Sequence, residues 1–240
     1  MKDWKQAYQL AMNELRTSKM NYIGSMFLYL LISLFVLVFD GKAKMIGWTI
    51  NDIFLIVIFC FAPYYLKPKE FQLQKVSGEL WAVPSVVWLK TLPIKENVII
   101  WSRLIIYSFY SLPPQIILLV ALYTISPDYR ELMPPTNYII FSIIWLALGI
   151  SIGFSMAASD VGDLINLKSI SIAIITIIAS IALFIFIFYR LLDDGLVKWT
   201  IFIAQDWPVL SIIISIIATV LSIKYWLHYM KKQMKKLDYL

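Results

Sequence analysis

The chain has very few of the residues from which most enzyme and metal sites are built. Of its 240 residues, one is a cysteine, Cys60, and one is a histidine, His228. A single cysteine cannot form a disulfide within the chain, and a single histidine excludes a multi-histidine metal site such as H-E-x-x-H. The sequence contains no G-x-x-x-x-G-K-[ST] motif, so this chain carries no P-loop for ATP. We expect no catalytic, cofactor-binding or metal-binding residues in this chain.

Charged residues are also scarce. They make up 15% of the chain, whereas 60% is hydrophobic and the mean hydropathy is +0.77. A soluble domain is typically about a quarter charged and about half apolar. This composition predicts an all-α polytopic membrane protein, and segments of about 20 apolar residues mark its spans. We expect six transmembrane helices, at 21–39, 46–65, 99–123, 137–158, 169–189 and 208–227.

The distribution of positive charge predicts the orientation of the six spans. Sixteen of the 21 Lys and Arg residues lie in the termini and in the loops on the same side, and five lie on the other side. By the positive-inside rule, both termini are cytoplasmic. The net charge of +6 is then a signal of topology, and we expect no nucleic-acid partner. The predicted location is the cell membrane, with a basic cytoplasmic tail at 228–240.

Residues 1–20 are too polar to cross a membrane. Trp4, Tyr8, Ala11 and Leu15 recur at helical spacing on one face. The pattern predicts an amphipathic helix that lies in the cytoplasmic interface. It favours a membrane anchor and a partner-docking helix equally.

The polar stretch 66–98 interrupts the apolar sequence between spans two and three. Its first part favours a helical extension of span two, which we expect Pro84 to break. A short apolar turn, Pro93 and a helix-compatible segment at 94–98 follow. A membrane crossing here would place charged residues at mid-depth and would remove the charge bias, so the stretch is predicted to be cytoplasmic. Arg103 lies one turn into span three, from where its side chain can extend to the surface.

A second short apolar stretch precedes span six. Residues 197–204 are mostly apolar but too few to cross a membrane. The pattern favours a re-entrant or interfacial hairpin on the outer face. A loop at the interface, held by Trp199 and Trp207, is an almost equal alternative.

Two features inside the spans are candidates for function. Gly149, Gly153 and Ala157 have small-xxx-small spacing, which favours helix packing within the chain and also allows a subunit interface or a translocation path. Asp52 lies about 9 Å inside the outer end of span two if that span starts at 46, because a helix rises about 1.5 Å per residue. A carboxylate at that depth indicates a polar cavity or a partner, and a later start of the span would place Asp52 at the surface.

The whole layout resembles the ABC-2 type permeases, which are membrane subunits of ATP-driven exporters. The similarity rests on the interface helix, six spans with cytoplasmic termini, the short outer segment before span six, and a loose motif of Leu92, Pro93, Ile94, Lys95 and Arg103. The resemblance implies a cytoplasmic coupling helix between spans two and three that contacts a separate ABC ATPase. The coupling residues would be Trp88, Leu89, Lys90, Leu92, Pro93, Ile94, Lys95, Glu96 and Asn97.

The resemblance also implies partners. Two permease subunits, identical or homologous, would act with ATPase chains that hold ATP and Mg²⁺. Membrane subunits of phenol-soluble-modulin exporters are the nearest analogy, so the expected cargo is a peptide toxin, an antimicrobial peptide or another amphipathic substrate. Two alternatives remain open: a regulatory or scaffolding membrane subunit without transport activity, and an intramembrane enzyme.

Overall fold

A computed structural model describes residues 2–40, 47–61, 63, 67–191 and 194–236. Helices dominate these ranges. They are α1 (Lys2–Thr17), α2 (Lys19–Asp40), α3 (Gly47–Ile56), α4 (Pro84–Thr91), α5 (Glu96–Ile125), α6 (Pro127–Leu132), α7 (Pro135–Ser159), α8 (Leu167–Ile185), α9 (Leu196–Asp206) and α10 (Pro208–Lys236). Two π-helices, Val57–Phe61 and Phe186–Leu191, and the 3₁₀-helix Lys69–Phe71 join them, together with strands β1 (Gln74–Ser77), β2 (Leu80–Ala82) and β3 (Asp163–Leu164).

Four helices in the described ranges are long and apolar enough to cross a membrane. They are Glu96–Ile125, Pro135–Ser159, Leu167–Phe188 and Pro208–Lys236. This agrees with the prediction of an all-α membrane protein. The predicted span 21–39 lies within α2 (Lys19–Asp40), in which Tyr22–Leu31 is a shorter apolar helical stretch, and the predicted span 46–65 contains the apolar helical stretch Asp52–Phe61. Part of the second predicted span lies outside the described residues, and the number six stays a prediction.

Helix α1 packs along the first half of α5 through one edge of the predicted face and the positions beside it. Ala7 and Ala11 are fully buried, whereas Trp4 and Tyr8 are about half exposed. Small side chains let two helix backbones approach closely, so alanine marks the contact better than the aromatic residues do. Trp4 lies beside this contact and packs edge-on against Trp101, with ring centroids 5.1 Å apart. Because α1 lies here, we call this side of the molecule the α1 end.

The predicted helical extension after span two is wrong. Residues 74–82 form an antiparallel hairpin of β1 and β2, and β3 adds a third strand beside β2. The turn contains Gly78 at φ +50°, a conformation that glycine adopts without steric cost. Such a turn ends any helix, and it returns the chain toward the segment after α7.

Pro84 begins a helix instead of breaking one. It occupies the first turn of α4, where a proline lacks only an N–H that would have no helical partner. The predicted apolar turn is therefore an eight-residue helix, which ends before Pro93. Helix α5 begins at Glu96, so Ile94 and Lys95 lie in the connection and not in a helix.

The predicted hairpin or loop at 197–204 is also a helix. Val197, Thr200, Ile201 and Ala204 form the buried side of α9. The Nε1–H of Trp145 on α7 donates to Oγ1 of Thr200 at 3.2 Å. An i, i+3/i+4 pattern of buried residues explains why this apolar stretch is helical, although it is too short to span a membrane.

Most buried side chains fall into two large clusters. The first joins the Val57–Phe61 π-helix to α5, α7 and α9, and includes Phe59, Leu118, Phe141, Trp145 and Val197. The second lies at the α1 end and joins α4, α5, α7 and α10, with Leu89, Ile100, Phe154, Met230 and Met234 among its members. The second cluster lies directly against the charged groups described next.

Candidate functional site: a buried charge cluster at the α1 end

Two buried ion pairs lie at the α1 end. Nζ of Lys67 is 2.8 Å from both carboxylate oxygens of Asp160, and each residue is only 2% exposed. An Nη2–H of Arg103 donates to Oε1 of Glu14, and Arg103 is 1% exposed. The four side chains, here called the charge cluster, carry no net charge. The expectation that Arg103 extends to the surface is therefore wrong.

The charge cluster connects four separate parts of the chain. Glu14 comes from α1, Arg103 from α5, Asp160 from the end of α7, and Lys67 from the segment that leads to the hairpin. Lys67 and Asp160 follow the predicted spans two and four, Arg103 lies one turn into span three, and Glu14 lies in the last turn of α1. The fold brings these four side chains together and removes them from water. Each charge is then stable only because an opposite charge lies beside it.

The same cluster holds α4 in place. Nη1 of Arg103 donates to Oγ of Ser85 on α4 at 3.2 Å. The backbone N–H of Val83, the residue before α4, donates to the carbonyl of Asp160 at 3.3 Å. Helix α4 is therefore linked to α5 and to the end of α7 by polar contacts as well as by the buried Val86 and Leu89.

Burial acts on both partners of the Lys67–Asp160 pair. It lowers the pKa of the Lys67 ammonium, and the charge and hydrogen bond of Asp160 oppose this effect. It raises the pKa of the Asp160 carboxyl, against the opposing effect of Lys67. Arg103 and Glu14 also act electrostatically on both groups, so the two pairs form one network. Removal of one member leaves the remaining charge in a medium that solvates it poorly.

The two pairs are not equally well satisfied. Both oxygens of Asp160 accept from Lys67, whereas Oε2 of Glu14 is buried and receives no hydrogen bond from the described residues. A buried acceptor without a donor costs about 1 to 3 kcal/mol or more. The Glu14–Arg103 pair therefore leaves one buried acceptor oxygen unsatisfied within the described residues.

The residues that the permease resemblance assigns to coupling lie beside this cluster and divide into two groups. Leu89 is buried, and Leu92 and Ile94 pack against the apolar clusters. Trp88 is 62% exposed, and Pro93, Lys95 and Asn97 are also exposed. The second group is the most accessible to a partner.

Two ion pairs fix the connection between α4 and α5. Nζ of Lys90 is 2.7 Å from Oε1 of Glu96, so a side chain from each helix closes the turn at Pro93. Nζ of Lys95 is 2.9 Å from Oδ1 of Asp3 on α1. Both pairs are partly exposed and contribute about 1 kcal/mol or less each, but they orient the connection.

A groove of about 390 Å³ runs between α1 and this connection. Its lining residues are Gln6, Gln9, Leu10, Asn13, Pro93, Ile94, Lys95 and Val98. The lining is mixed: α1 contributes three amide side chains and Leu10, and the opposite side contributes three apolar side chains and Lys95. Together with Trp88, the groove forms part of the exposed surface at the α1 end.

The small residues of α7 pack inside the chain. A Cβ on Gly149 would lie 3.1 Å from the carbonyl oxygen of Phe59 and 3.2 Å from Nε2 of Gln115. Gly153 lies under the ring of Tyr107, and Ala157 is fully buried. The stripe therefore lets α5 and the Val57–Phe61 π-helix approach α7 closely. Its role in a translocation path stays a prediction.

Asp52 is buried at the opposite end of the bundle. Its Oδ2 and Oδ1 accept from the backbone N–H groups of Leu196 and Val197, each at 2.8 Å. These amides belong to the first turn of α9, where unpaired N–H groups and the helix dipole favour a negative charge. The partner of this carboxylate is thus a helix N-terminus, and a surface position for Asp52 is excluded.

Sequence reasoning missed Glu14, Lys67 and Asp160 as members of one site. Asp160 follows span four, and its partner precedes it by 93 residues. The available signal was the presence of isolated charges at the ends of apolar segments on one side of the membrane. That signal identifies the residues but not their pairing.

Comparisons with protein-family models, curated proteins and solved structures found no match for this chain. The assignment of a function therefore rests on the residues and on the geometry of the site.

Proposed function

We propose that this chain is the membrane permease subunit of an ATP-driven exporter. In this proposal a separate ABC ATPase binds at the α1 end and acts on the spans through α4. The chain itself has no P-loop motif, so ATP and Mg²⁺ would be bound by that partner. Two permease subunits, identical or homologous, would complete the transporter.

One observation carries the proposal: α4 exposes a large aromatic side chain and is linked rigidly to the spans. Trp88 projects from α4 and is 62% exposed. Exposed tryptophan is typical of residues that contribute most to protein–protein binding. Beneath it, the charge cluster joins α4 to α1, α5 and α7. A force on α4 would therefore act on three membrane-associated helices together.

The distribution of charge supports the proposed orientation. The α1 end carries most of the positive side chains, and positive charge is enriched on the cytoplasmic side of membrane proteins. A partner ATPase would reach the chain only from the cytoplasmic side. The proposed arrangement includes six spans with both termini in the cytoplasm, the α4 segment as the coupling helix, and α9 as the short outer segment before the last span.

The apolar character of the spans favours an amphipathic or hydrophobic cargo. Charged side chains inside the membrane usually line ion or proton pathways. In the described parts of the four candidate spans, the buried ionisable residue Arg103 is paired with Glu14 and lies near one end. A peptide toxin or antimicrobial peptide, which itself binds lipid surfaces, fits such an interior better than a polar polymer does.

Co-purification from the native membrane tests the proposed partner. We expect an ATP-binding chain to co-purify with the wild-type protein, and Trp88→Ala to weaken this association at least about tenfold, which is the effect of losing a binding hot spot of about 1.4 kcal/mol or more. Trp207→Ala is the matched control, because Trp207 is similarly exposed, at 58%, and follows α9 at the opposite end.

The outcome of this experiment separates the proposal from its alternatives. Loss of the ATPase in the Trp88 variant alone supports α4 as the docking element. Equal loss in both variants, or full retention in the Trp88 variant together with intact export, contradicts that role. Isolation of a stable complex without any ATP-binding chain would favour a regulatory or scaffolding subunit.

A further inference from the structure

Helix α10 is longer than a membrane span. It has 29 residues, which correspond to about 43 Å at 1.5 Å per residue. A hydrocarbon core of about 30 Å is crossed by about 20 residues. The last turns of α10 therefore extend beyond the apolar core, into the region of the lipid headgroups. The predicted basic tail begins as this helical extension and not as a separate segment.

The extension is fixed to the protein on one side. Met230, Gln233 and Met234 are buried, and the two methionines belong to the apolar cluster at the α1 end. The side-chain amide of Gln233 donates to Oδ1 of Asp163 at 3.2 Å, and the hydroxyl of Tyr229 donates to Oδ2 at 3.3 Å. This side of α10 cannot rotate outward without loss of these contacts.

The opposite side of the extension carries only positive charge. At 100° per residue, five lysines fall within an arc of about 140°. They are Lys224, Lys231, Lys232, Lys235 and Lys236, and all are exposed. We call them the basic face. Helix α10 contains no Asp or Glu, and within the described ranges none of these ammonium groups forms an ion pair.

The basic face continues an exposed apolar stripe on the same side of the same helix. Earlier in α10 this side consists of exposed aliphatic residues, namely Leu210, Ile213, Ile214, Ile217 and Leu221. Tyr225, also exposed, lies at the boundary, where aromatic residues are enriched in membrane proteins. The order along one helix face is thus apolar, aromatic and basic, which is the order of acyl chain, interface and headgroup in a leaflet.

We propose that the basic face of α10 binds the phosphate groups of anionic phospholipids in the adjoining leaflet. The acyl chains of the same lipids lie against the aliphatic stripe, so lipid and not a soluble partner is the occupant that matches both parts of the face. Clusters of four or more lysines directly after a span attract anionic lipid. The proposal does not depend on the exporter function, because it uses only the membrane insertion of α10.

Lipid selectivity of the reconstituted full-length chain tests the proposal. Electron paramagnetic resonance would compare spin-labelled phosphatidylglycerol with spin-labelled phosphatidylcholine in phosphatidylcholine vesicles. We expect the protein to immobilise phosphatidylglycerol several-fold more strongly, and this selectivity to fall as salt is raised, because surface charges are screened. A variant with four Lys→Gln replacements, at Lys231, Lys232, Lys235 and Lys236, should lose most of the selectivity. A variant with Arg at the same four positions should retain it.

A second variant controls for net charge. Lys5→Gln, Arg16→Gln, Lys69→Gln and Lys75→Gln together remove four exposed positive charges outside α10. We expect this variant to keep the selectivity of the wild type.

Equal loss in the two Gln variants would mean that only total charge matters and would overturn the site. Absence of selectivity in the wild type would overturn it as well, as would displacement of the labelled lipid by millimolar inorganic phosphate, which would indicate a site for a soluble anion. Thermal unfolding of each variant verifies that the fold is retained.

Discussion

The ring of Tyr107 on α5 lies directly against the backbone of Gly153 on α7. A Cβ on Gly153 would approach Cζ of Tyr107 to 2.7 Å, a distance that real side chains do not adopt. The two apolar helices therefore meet at a position that only glycine can occupy without displacement of the tyrosine. This contact lies close to the charge cluster, since Tyr107 is one helical turn after Arg103.

Replacement of Gly153 should destabilise the protein. In Gly153→Ala the new methyl group displaces Tyr107, and overpacking of this kind costs about 1 to 3 kcal/mol. Thermal unfolding in detergent measures the change. Gly24→Ala is the matched control, because a Cβ there meets nothing within 4 Å and alanine favours the helix. Gly153→Ala with Tyr107→Leu should recover much of the loss; a double variant as unstable as the single one would show that the ring contact is not the cause.

Lys67→Met should be strongly destabilising. It leaves the buried Asp160 carboxylate without its partner, and loss of one member of a buried pair costs about 3 to 5 kcal/mol. Lys67→Met with Asp160→Leu should be substantially more stable than the single variant, because no unpaired charge remains. Chemical unfolding gives the free energies of unfolding.

Lys198→Met is the control, because it breaks the exposed pair with Asp194 and should change stability by about 1 kcal/mol or less. A loss comparable to that of Lys67→Met would show that burial does not cause the destabilisation.

Glu14→Gln should separate coupling from binding. It removes the charge that pairs with Arg103 on α5 but leaves Trp88 on α4 unchanged. If the proposed function is correct, ATP-driven export should fall while co-purification with the ATPase persists. Exchange of the charges, Glu14→Arg with Arg103→Glu, should restore part of the export. Loss of the ATPase in a Glu14→Gln variant that unfolds at the wild-type temperature would contradict this separation of coupling from binding.

Asp52→Ala should loosen the start of α9. The carboxylate accepts from the N–H groups of Leu196 and Val197, and loss of a helix cap costs about 0.5 to 2 kcal/mol. Hydrogen exchange measured by mass spectrometry should show faster exchange of these two amides, with little change in α4. Asp206→Ala, which replaces an exposed carboxylate at the other end of α9, serves as the control. Unchanged exchange at Leu196 and Val197 would contradict the capping role.

The length of the apolar runs predicted where the long helices lie, but helix periodicity did not predict which edge of the α1 face is buried. Trp4, Tyr8, Ala11 and Leu15 do share one face, as the sequence indicates. Periodicity places the apolar side chains but does not distinguish lipid from protein as their surroundings. The tertiary structure assigns the closest contact to Ala7 and Ala11, since only small side chains allow α1 and α5 to approach.

Strand pairing with a distant segment explains the error in the predicted helical extension after span two. Gly78 and Pro84 were visible in the sequence, and both are compatible with a helix end. Gly78 instead lies in a hairpin turn and Pro84 begins a helix. The hairpin strand β2 pairs with β3 from more than 80 residues away. Strands as short as β2 and β3, with three and two residues, have no stability by themselves, so no local pattern predicts this sheet.

The sequence by itself determined the class of the protein, the position of the four long apolar helices and the bias of positive charge toward one side, because these properties follow from composition and from the length of a membrane span. Only the tertiary structure decided that Glu14, Lys67, Arg103 and Asp160 form one buried network, that α4 rests on it, and that Asp52 caps α9. Buried charges are stable only with partners, and the partners come from distant segments that only the packing of the helices brings together.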